Sequence, residues 1–293
     1  MFDIVKIEKP ETLEEALKML SDNPKLRIIA GGTDILIRMR SGAIEEVELL
    51  SLRSIPGLDE ISILEDGTIS IGAMATFTDL FRNETINKYV PVLAEAAVSM
   101  GGPQIRNMAT VGGNICNGAV SADSATTLLA YDASLRLESV SGTRIVPLKE
   151  FYAGPGKVKL LPGEIMTSIL ISEEGYGKTS GCYIKYSTRK AMDIAMLGVS
   201  TVCRIENGKF SEVRLSLGVA APTPIRCSEA EYYARGKAVT AETLKEIARY
   251  AVTASKARDS WRASKAYREH LIEVLTFRAL KEAVCRDGGV CIE

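Results

Sequence analysis

Ala30-Gly31-Gly32-Thr33-Asp34 and Thr110-Val111-Gly112-Gly113-Asn114 decide how this chain is read. Each double glycine follows or interrupts an apolar run and is flanked by small polar residues. Such a loop exposes backbone N–H groups with no side chain in the way. Glycine also reaches the positive-φ conformations that let consecutive amides converge on an anion. Two turns of this kind can close on one diphosphate from both sides, which is what a dinucleotide such as FAD requires. Singly, a Gly-Gly-Thr-Asp is an ordinary strand-end turn. As a pair they say more, because both set Thr or Asn beside the glycines and neither sits at a hairpin. Hydroxyl and amide donors without formal charge result. Asp34 and Asp123 are poor phosphate neighbours by charge; they suit hydroxyl contacts to ribityl or ribose oxygens, or caps on helix N-termini.

The 293 residues predict two domains, and 46% hydrophobic with 25% charged residues is ample for a full core. A net charge of −1 supplies no basic field for nucleic acid or an anionic membrane. No apolar stretch approaches bilayer length, and Met1-Phe2-Asp3-Ile4-Val5-Lys6-Ile7-Glu8 lacks a signal-peptide layout, so a cytoplasmic protein is expected. Six scattered cysteines form no Cys-x-x-Cys pair, and with a single histidine the spacings of zinc or iron–sulfur sites are missing. Reduced, mostly buried thiols follow, with Cys285 and Cys291 the pair near enough in sequence to bridge. His270, in a Lys/Arg/Glu-rich helical segment, is expected on a helix surface, away from any nucleophile.

Along the chain, Thr12-Leu13-Glu14-Glu15 reads as a capping box opening a helix with Leu13, Ala16, Leu17 and Leu20 on one face. Leu26 to Ala30 is a β run into the first glycine turn, and Asp34 to Met39 continues as a short helix or strand. Strands follow at 47–52, 60–64 and 68–73, the last two a hairpin through Glu65-Asp66-Gly67. A helix is predicted over 87–100, and another over 124–131 capped by Ser121 or Asp123. A hairpin over 134–139 and 143–147 turns at Ser141-Gly142. The style changes near Gly175. From 181 to 220 the text alternates as an antiparallel meander broken at Glu206-Asn207-Gly208, and after Pro222-Thr223-Pro224 three helices are predicted over 228–235, 241–257 and 264–283.

No Gly-x-Gly-x-x-Gly occurs, which disfavours a Rossmann site. Gly177-Lys178-Thr179 mimics the end of a P-loop, but Ser172 stands where its first glycine belongs and a strand follows, so a charged surface turn is expected. Lys185 lies in a strand with Tyr183 on its face, either solvated or aimed at a ligand. Arg106 precedes the second glycine turn, where it can pair with a carboxylate or orient the loop. Trp261 begins the last helix as an anchor or interface residue.

Arg27-Ile28-Ile29-Ala30-Gly31-Gly32-Thr33-Asp34, with Gly102-Pro103-Gln104-Ile105-Arg106-Asn107-Met108-Ala109-Thr110-Val111-Gly112-Gly113-Asn114-Ile115, resembles the FAD-binding subunit of molybdenum hydroxylases, which include xanthine, nicotinate and aerobic carbon monoxide dehydrogenases. Cys116 to Ala125, Gly154-Pro155-Gly156-Lys157-Val158, Gly218 to Cys227 and Ser260-Trp261-Arg262-Ala263-Ser264 are most similar to the bacterial three-subunit xanthine dehydrogenases. The likeness spans essentially the whole chain. It implies an α+β fold: a two-lobed FAD-binding domain of the vanillyl-alcohol-oxidase (PCMH) type over 1–174, with lobes 1–54 and 55–174, then a C-terminal domain of antiparallel sheet and helices over 175–293.

The resemblance also implies roles. Arg27, Ile28, Ile29, Ala30, Gly31, Gly32, Thr33 and Asp34 would embrace diphosphate and ribityl chain together with Thr110, Val111, Gly112, Gly113 and Asn114. Asp123 would accept from a cofactor hydroxyl, and Ile165 or Met166 would pack on the adenine or flavin edge. Lys185 would approach the flavin or its phosphate. Met100 occupies a spot where some relatives carry an aromatic residue, and Ile194 falls where the second domain comes over the isoalloxazine. No catalytic or metal-ligating residue is expected on this chain. Electrons would come from [2Fe–2S] clusters in a small partner subunit and leave to NAD⁺, while a large molybdopterin subunit oxidises a purine. The rivals are a subunit of a related hydroxylase, a stand-alone FAD oxidoreductase, and a non-catalytic nucleotide-binding module. Valine at Gly32 or Gly113 is expected to abolish flavin retention by filling the space the phosphates need.

Overall fold

In the computed structural model, which describes residues 3–288, strands β1 (Ile4–Glu8), β2 (Arg27–Ile29) and β3 (Val47–Ser51) form a parallel sheet in the order β1-β3-β2. Parallel neighbours need crossovers, here the helices Leu13–Asp22 and Ile35–Arg40. The Asp34–Met39 stretch is thus helical. Thr12 caps the first helix by accepting from the Glu15 amide, but the Glu15 carboxylate accepts from Glu11 N–H, so the expected box is only half made. Ala16, Leu17 and Leu20 pack with Leu26, Leu50 and Leu52 beneath the sheet.

The next sheet takes β4 (Ile61–Ile63), β5 (Ile69–Gly72), β6 (Ser134–Ser139) and β7 (Gly142–Pro147). A small ribbon of β8 (Tyr152–Gly154) and β9 (Lys157–Val158) follows, then β10 (Ile165–Ile171) enters the sheet between β5 and β6, giving the antiparallel order β4-β5-β10-β6-β7. β10 escapes sequence reading because it is covered on both faces and shows no polar alternation. The helix expected over 87–100 is two helices, Glu84–Tyr89 and Pro91–Ser99. Pro91 forces the break: it suits a first helical position but cannot continue a helix, and it drives Val90 out of the helical region. The expected capping of the helix at 124–131 is also corrected. That helix runs Asp123–Ala130 with no side-chain cap, and Asp123, inside its first turn, commits its carboxylate elsewhere.

After the short helix Glu173–Tyr176, β11 (Ser180–Tyr186), β12 (Leu197–Glu206), β13 (Lys209–Gly218) and β14 (Ile225–Arg226) make an antiparallel meander. Its β12–β13 turn puts Asn207 and Gly208 at φ 51° and 71°, the pair of positive values that Asn-Gly supplies most cheaply. Helices Ser228–Ala234, Ala241–Ala254 and Lys265–Arg286 follow, the last two packing Leu244, Ile247, Leu275 and Ala279 on the sheet. Trp261 stands outside the last helix, whose cap is Ser264. His270 is exposed on that helix, and Cys182, Cys203 and Cys227 are buried thiols. Cys291, and with it the question of its pairing with Cys285, lies outside the described residues. Glu95 joins the sheet regions by accepting from Tyr183 N–H and from the Arg286 guanidinium. Among the described residues, no helix is long and apolar enough to cross a membrane.

Candidate functional site

A cleft of about 1180 Å³ opens where the parallel sheet, the β10 sheet and the meander meet. Both glycine turns border it. They touch each other rather than standing on opposite walls. A Cβ at Gly31 would lie 1.7 Å from the Met108 carbonyl oxygen, and one at Gly113 would lie 3.8 Å from the Ala30 Cβ. Gly31 is therefore glycine because the segment leading into the second turn crosses directly over it. Gly112 has the same cause, with the Ala73 carbonyl 2.5 Å from its would-be Cβ.

The two turns differ in what they offer a ligand. Among the described residues, the amides of Gly31, Gly32, Thr33 and Asp34 have no partner within the chain. Gly32, at φ 78°, takes the left-handed conformation that such turns use to present successive amides to an anion. The second turn corrects the expectation of bare amides on both sides. Val111 N–H donates to Ala75 O, Gly112 N–H to Ala73 O, Gly113 N–H to Thr110 Oγ1 and Asn114 N–H to Thr110 O. The reason is local: Thr110 is the N-cap of a helix, Val111–Cys116, laid against the end of β5. What this turn leaves free is side-chain chemistry. The Thr110 hydroxyl proton is uncommitted, and Asn114 uses its carbonyl oxygen on Ser124 Oγ at 2.7 Å, which leaves its NH₂ group to donate.

Of the other sequence-predicted residues, Arg27, Ile28, Ala30, Met100, Asp123, Ile165, Met166, Lys185 and Ile194 border the cleft. Ile29 and Val111 do not. β2 alternation turns Ile29 into the pocket of Met39, Val47 and Leu49, and Val111 is fully buried in the central core. Ile165 and Met166, adjacent on β10, belong to different cores and meet only at the cleft wall. Arg106 finds no carboxylate; its Nη1 donates to Met100 O at 3.0 Å and its guanidinium lies 5.8 Å from the Phe81 ring centre. It orients the loop, fixing where Met100 stands.

Asp123 and Lys185 form the one ion pair on the cleft wall among the described residues that is buried on both sides, with Nζ 2.9 Å from Oδ2. Lys185 also donates to Ser99 O at 3.1 Å, and Tyr183 OH donates to the other Asp123 oxygen at 2.5 Å. Burial pushes the Asp123 carboxyl above its ordinary value, against the pull of Lys185 and Tyr183. Tyr183 rises well above the phenol range by burial and by the Asp123 charge. Burial likewise raises Asp34, opposed by Arg38. Tyr183 is the site residue that sequence reading did not assign. The period of two along β11, which sets 183 and 185 on one face, is the signal that could have found it.

The far rim is the loop ahead of β10. Arg144 holds Glu164 bidentately, at 2.6 and 2.8 Å, and Glu164 also accepts from Leu161 N–H at 2.7 Å. Burial opposes charge on Glu164, but Arg144 and the amide more than offset it and hold the carboxyl below its ordinary 4.5. Its contribution to stability is therefore full above the ordinary value and lost as pH falls through the lowered one. Glu164→Gln should cost about 1–2 kcal/mol at neutral pH and flatten the acid limb of the stability profile, as urea titrations from neutral pH downward would show.

A cleft with four unpartnered amides along one turn, neutral donors at the next, apolar walls and a buried Lys–Asp pair fits a long ligand with a diphosphate at its middle. Residues 3–172 match the family model for the FAD binding domain in molybdopterin dehydrogenase, and residues 182–283 that for the CO dehydrogenase flavoprotein C-terminal domain. The chain is 43% identical over 289 residues, 99% of each protein, to the xanthine dehydrogenase FAD-binding subunit of Escherichia coli O157:H7. It is 33% identical over 242 residues to the nicotinate dehydrogenase FAD-subunit of Eubacterium barkeri, covering 80% of this chain and 81% of that one. The solved structure of carbon monoxide dehydrogenase from Hydrogenophaga pseudoflava superposes with a TM-score of 0.91 at 29% identity, over 96% of this chain and 97% of that one. The chain belongs to the FAD-binding medium subunits of the molybdenum hydroxylases.

Proposed function

We propose that this chain is the FAD subunit of a xanthine dehydrogenase-type molybdenum hydroxylase, taking electrons from [2Fe–2S] centres in a small partner subunit and delivering them to NAD⁺. A large molybdopterin subunit carries the purine chemistry. The observation that supports this above the related hydroxylases is the 43% identity along the entire chain to a xanthine dehydrogenase subunit, against 33% over a shorter stretch to the nicotinate enzyme. The buried free thiols Cys182, Cys203 and Cys227 suit a reducing cytoplasm.

FAD, when bound, supplies the redox chemistry; the protein's part is to bind and tune it. The free amides of Gly31 to Asp34 hold the diphosphate, helped by the Thr110 hydroxyl and the Asn114 NH₂. Arg27 and Ile28 flank the same ligand from β2, while the absent Cβ atoms of Gly112 and Gly113 let the second turn pack against Ala73, Thr110 and Ala30 at the cleft's edge. Asp123, paired with Lys185, accepts from a ribityl hydroxyl with its spare lone pairs. Met100, Ile165, Met166 and Ile194 exclude water from the rings. No group on this chain has to move a proton from substrate, in keeping with a lone, exposed His270. On this reading residues 1–174 carry the cofactor and 175–293 close over it.

Purified alone and given FAD, the chain should turn yellow, retain the flavin through gel filtration, and reduce an electron-accepting dye when NADH is added. A colourless protein overturns the reading; flavin that NADH does not reduce overturns the NAD⁺ limb alone.

A further inference from the structure

Asp123 is the buried acid of the cleft wall, and the meander fixes where it stands. Its helix, Asp123–Ala130, is seated on the sheet at a place bare of side chains. There Gly198 on β12 pairs with Gly218 on β13, and a Cβ at Gly218 would lie 2.6 Å from Thr126 Oγ1. The Ser216 hydroxyl donates to Thr126 O, and Arg226 Nη1 donates to Leu129 O at 2.9 Å. The helix is thus pinned to the meander along its length.

Tyr183, on β11, then reaches Asp123 itself. β11 is an edge strand, so the outward Tyr183 amide has no ladder partner; the Glu95 carboxylate accepts from it at 3.0 Å. The ring is buried in the central core, and the hydroxyl donates to Asp123 Oδ1 at 2.5 Å. Gly198 keeps the path open: a Cβ there would stand 3.2 Å from the Tyr183 oxygen, close enough to displace it. Tyr183 does not itself border the cleft, whereas Asp123 and Lys185 do. Lys185 occupies Oδ2 and Tyr183 occupies Oδ1, which fixes the plane of the carboxylate and the direction of its remaining lone pairs. Packing alone asks for no hydroxyl here, since phenylalanine would bury the same ring without desolvating a phenol.

We infer that Tyr183 is a positioning residue for flavin binding: held at its amide by Glu95 and admitted by Gly198, it clamps Asp123 Oδ1 so that the carboxylate keeps its remaining lone pairs toward a cofactor hydroxyl. The inference rests on Asp123 accepting from the ribityl chain. To test it, FAD is titrated into the flavin-free full-length chain and followed by quenching of flavin fluorescence, with urea unfolding to establish that each variant is folded. Tyr183→Phe should raise the dissociation constant for FAD about tenfold, the scale of one hydrogen bond to a charged group. In an Asp123→Ala background the same change should cost about twofold or less, because no carboxylate is left to orient. Gly198→Ala, which displaces the hydroxyl, should weaken FAD binding by itself and add nothing to Tyr183→Phe. Lys185 and Tyr183 are the groups that draw the Asp123 carboxyl down against burial. Without the phenol that carboxyl rises further, so the loss of FAD affinity on acidification should begin at higher pH in Tyr183→Phe than in wild type.

Equal affinity in Tyr183→Phe and wild type overturns the inference. So does a loss of the same size in both backgrounds, which is what packing alone would give. Should Asp123→Ala not fold, the pH profile of Tyr183→Phe decides, and an unmoved acid limb overturns the inference. If Asp123→Ala binds FAD as tightly as wild type, the reading of Asp123 as the hydroxyl acceptor falls, and this one with it.

Discussion

Alanine in place of Gly31 is expected to empty the cleft of flavin and to destabilise the protein by about 3 kcal/mol, the upper end for overpacking. The added Cβ meets the Met108 carbonyl oxygen at 1.7 Å and the Ala109 Cα at 3.1 Å, both backbone atoms that no rotamer change can move aside. Relief requires the two glycine turns to separate, and the donors they share separate with them. Gly154→Ala is the control: nothing lies within 4 Å of its would-be Cβ, so it should stay within about 0.5 kcal/mol of wild type. Flavin absorbance after gel filtration and urea unfolding read the two effects. The substitutions that sequence alone singled out rank below it and act differently. At Gly32 the obstacle is the φ of 78°, with a Leu36 methyl 3.1 Å away. At Gly113 a Cβ would wedge between Thr110 Oγ1 and Ala30 rather than fill the cleft. Equal flavin content in Gly31→Ala and wild type would show that the turns do not act as a unit.

Lys185→Met should be nearly as damaging, and its damage should depend on pH. Removing one partner of a buried pair leaves an uncompensated charge and costs about 3–5 kcal/mol. Here Asp123 has an escape, because burial already raises its carboxyl above the ordinary 3.8. A carboxyl raised in the folded state contributes most below its ordinary value and loses that contribution as pH rises through the folded one. Without Lys185 the folded value climbs further. The variant should then come closest to wild type at about pH 3.5, below the ordinary carboxyl value, and fall away toward about pH 8. Asp123→Asn with Lys185→Met should flatten that dependence, since the Tyr183 hydroxyl then donates to a neutral amide oxygen. Urea unfolding at both pH values decides it; a loss of stability independent of pH would mean that Asp123 stays charged.

How far the text of the chain carried varies with the physics of each element. The hairpins at 61–72 and 134–147 and the meander from 180 to 218 were legible because polar and apolar residues alternate and their turns carry Gly or Asn at positive φ. β10 was not, because a strand covered on both faces shows no period. The Val90–Pro91 break was readable in principle, but the apolar rhythm from 87 to 100 runs through it. At the site, Lys185 and Asp123 were singled out separately; nothing in their spacing says that they meet. Val111 and Ile29 lie in motifs whose neighbours face the cleft, yet their own side chains belong to cores.

The sequence by itself determined the family, the α+β composition and the two glycine turns, because each is written in local residue order: a pattern of alternation, a positive-φ position, a cap. Only the tertiary structure decided what the turns do with their amides. One keeps four free, while the other spends its own on the segment just after β5 and on its own helix cap. That division depends on which backbone lies opposite, and for Gly112 and Gly31 the opposing carbonyls are those of Ala73 and Met108, both distant along the chain and adjacent only in space.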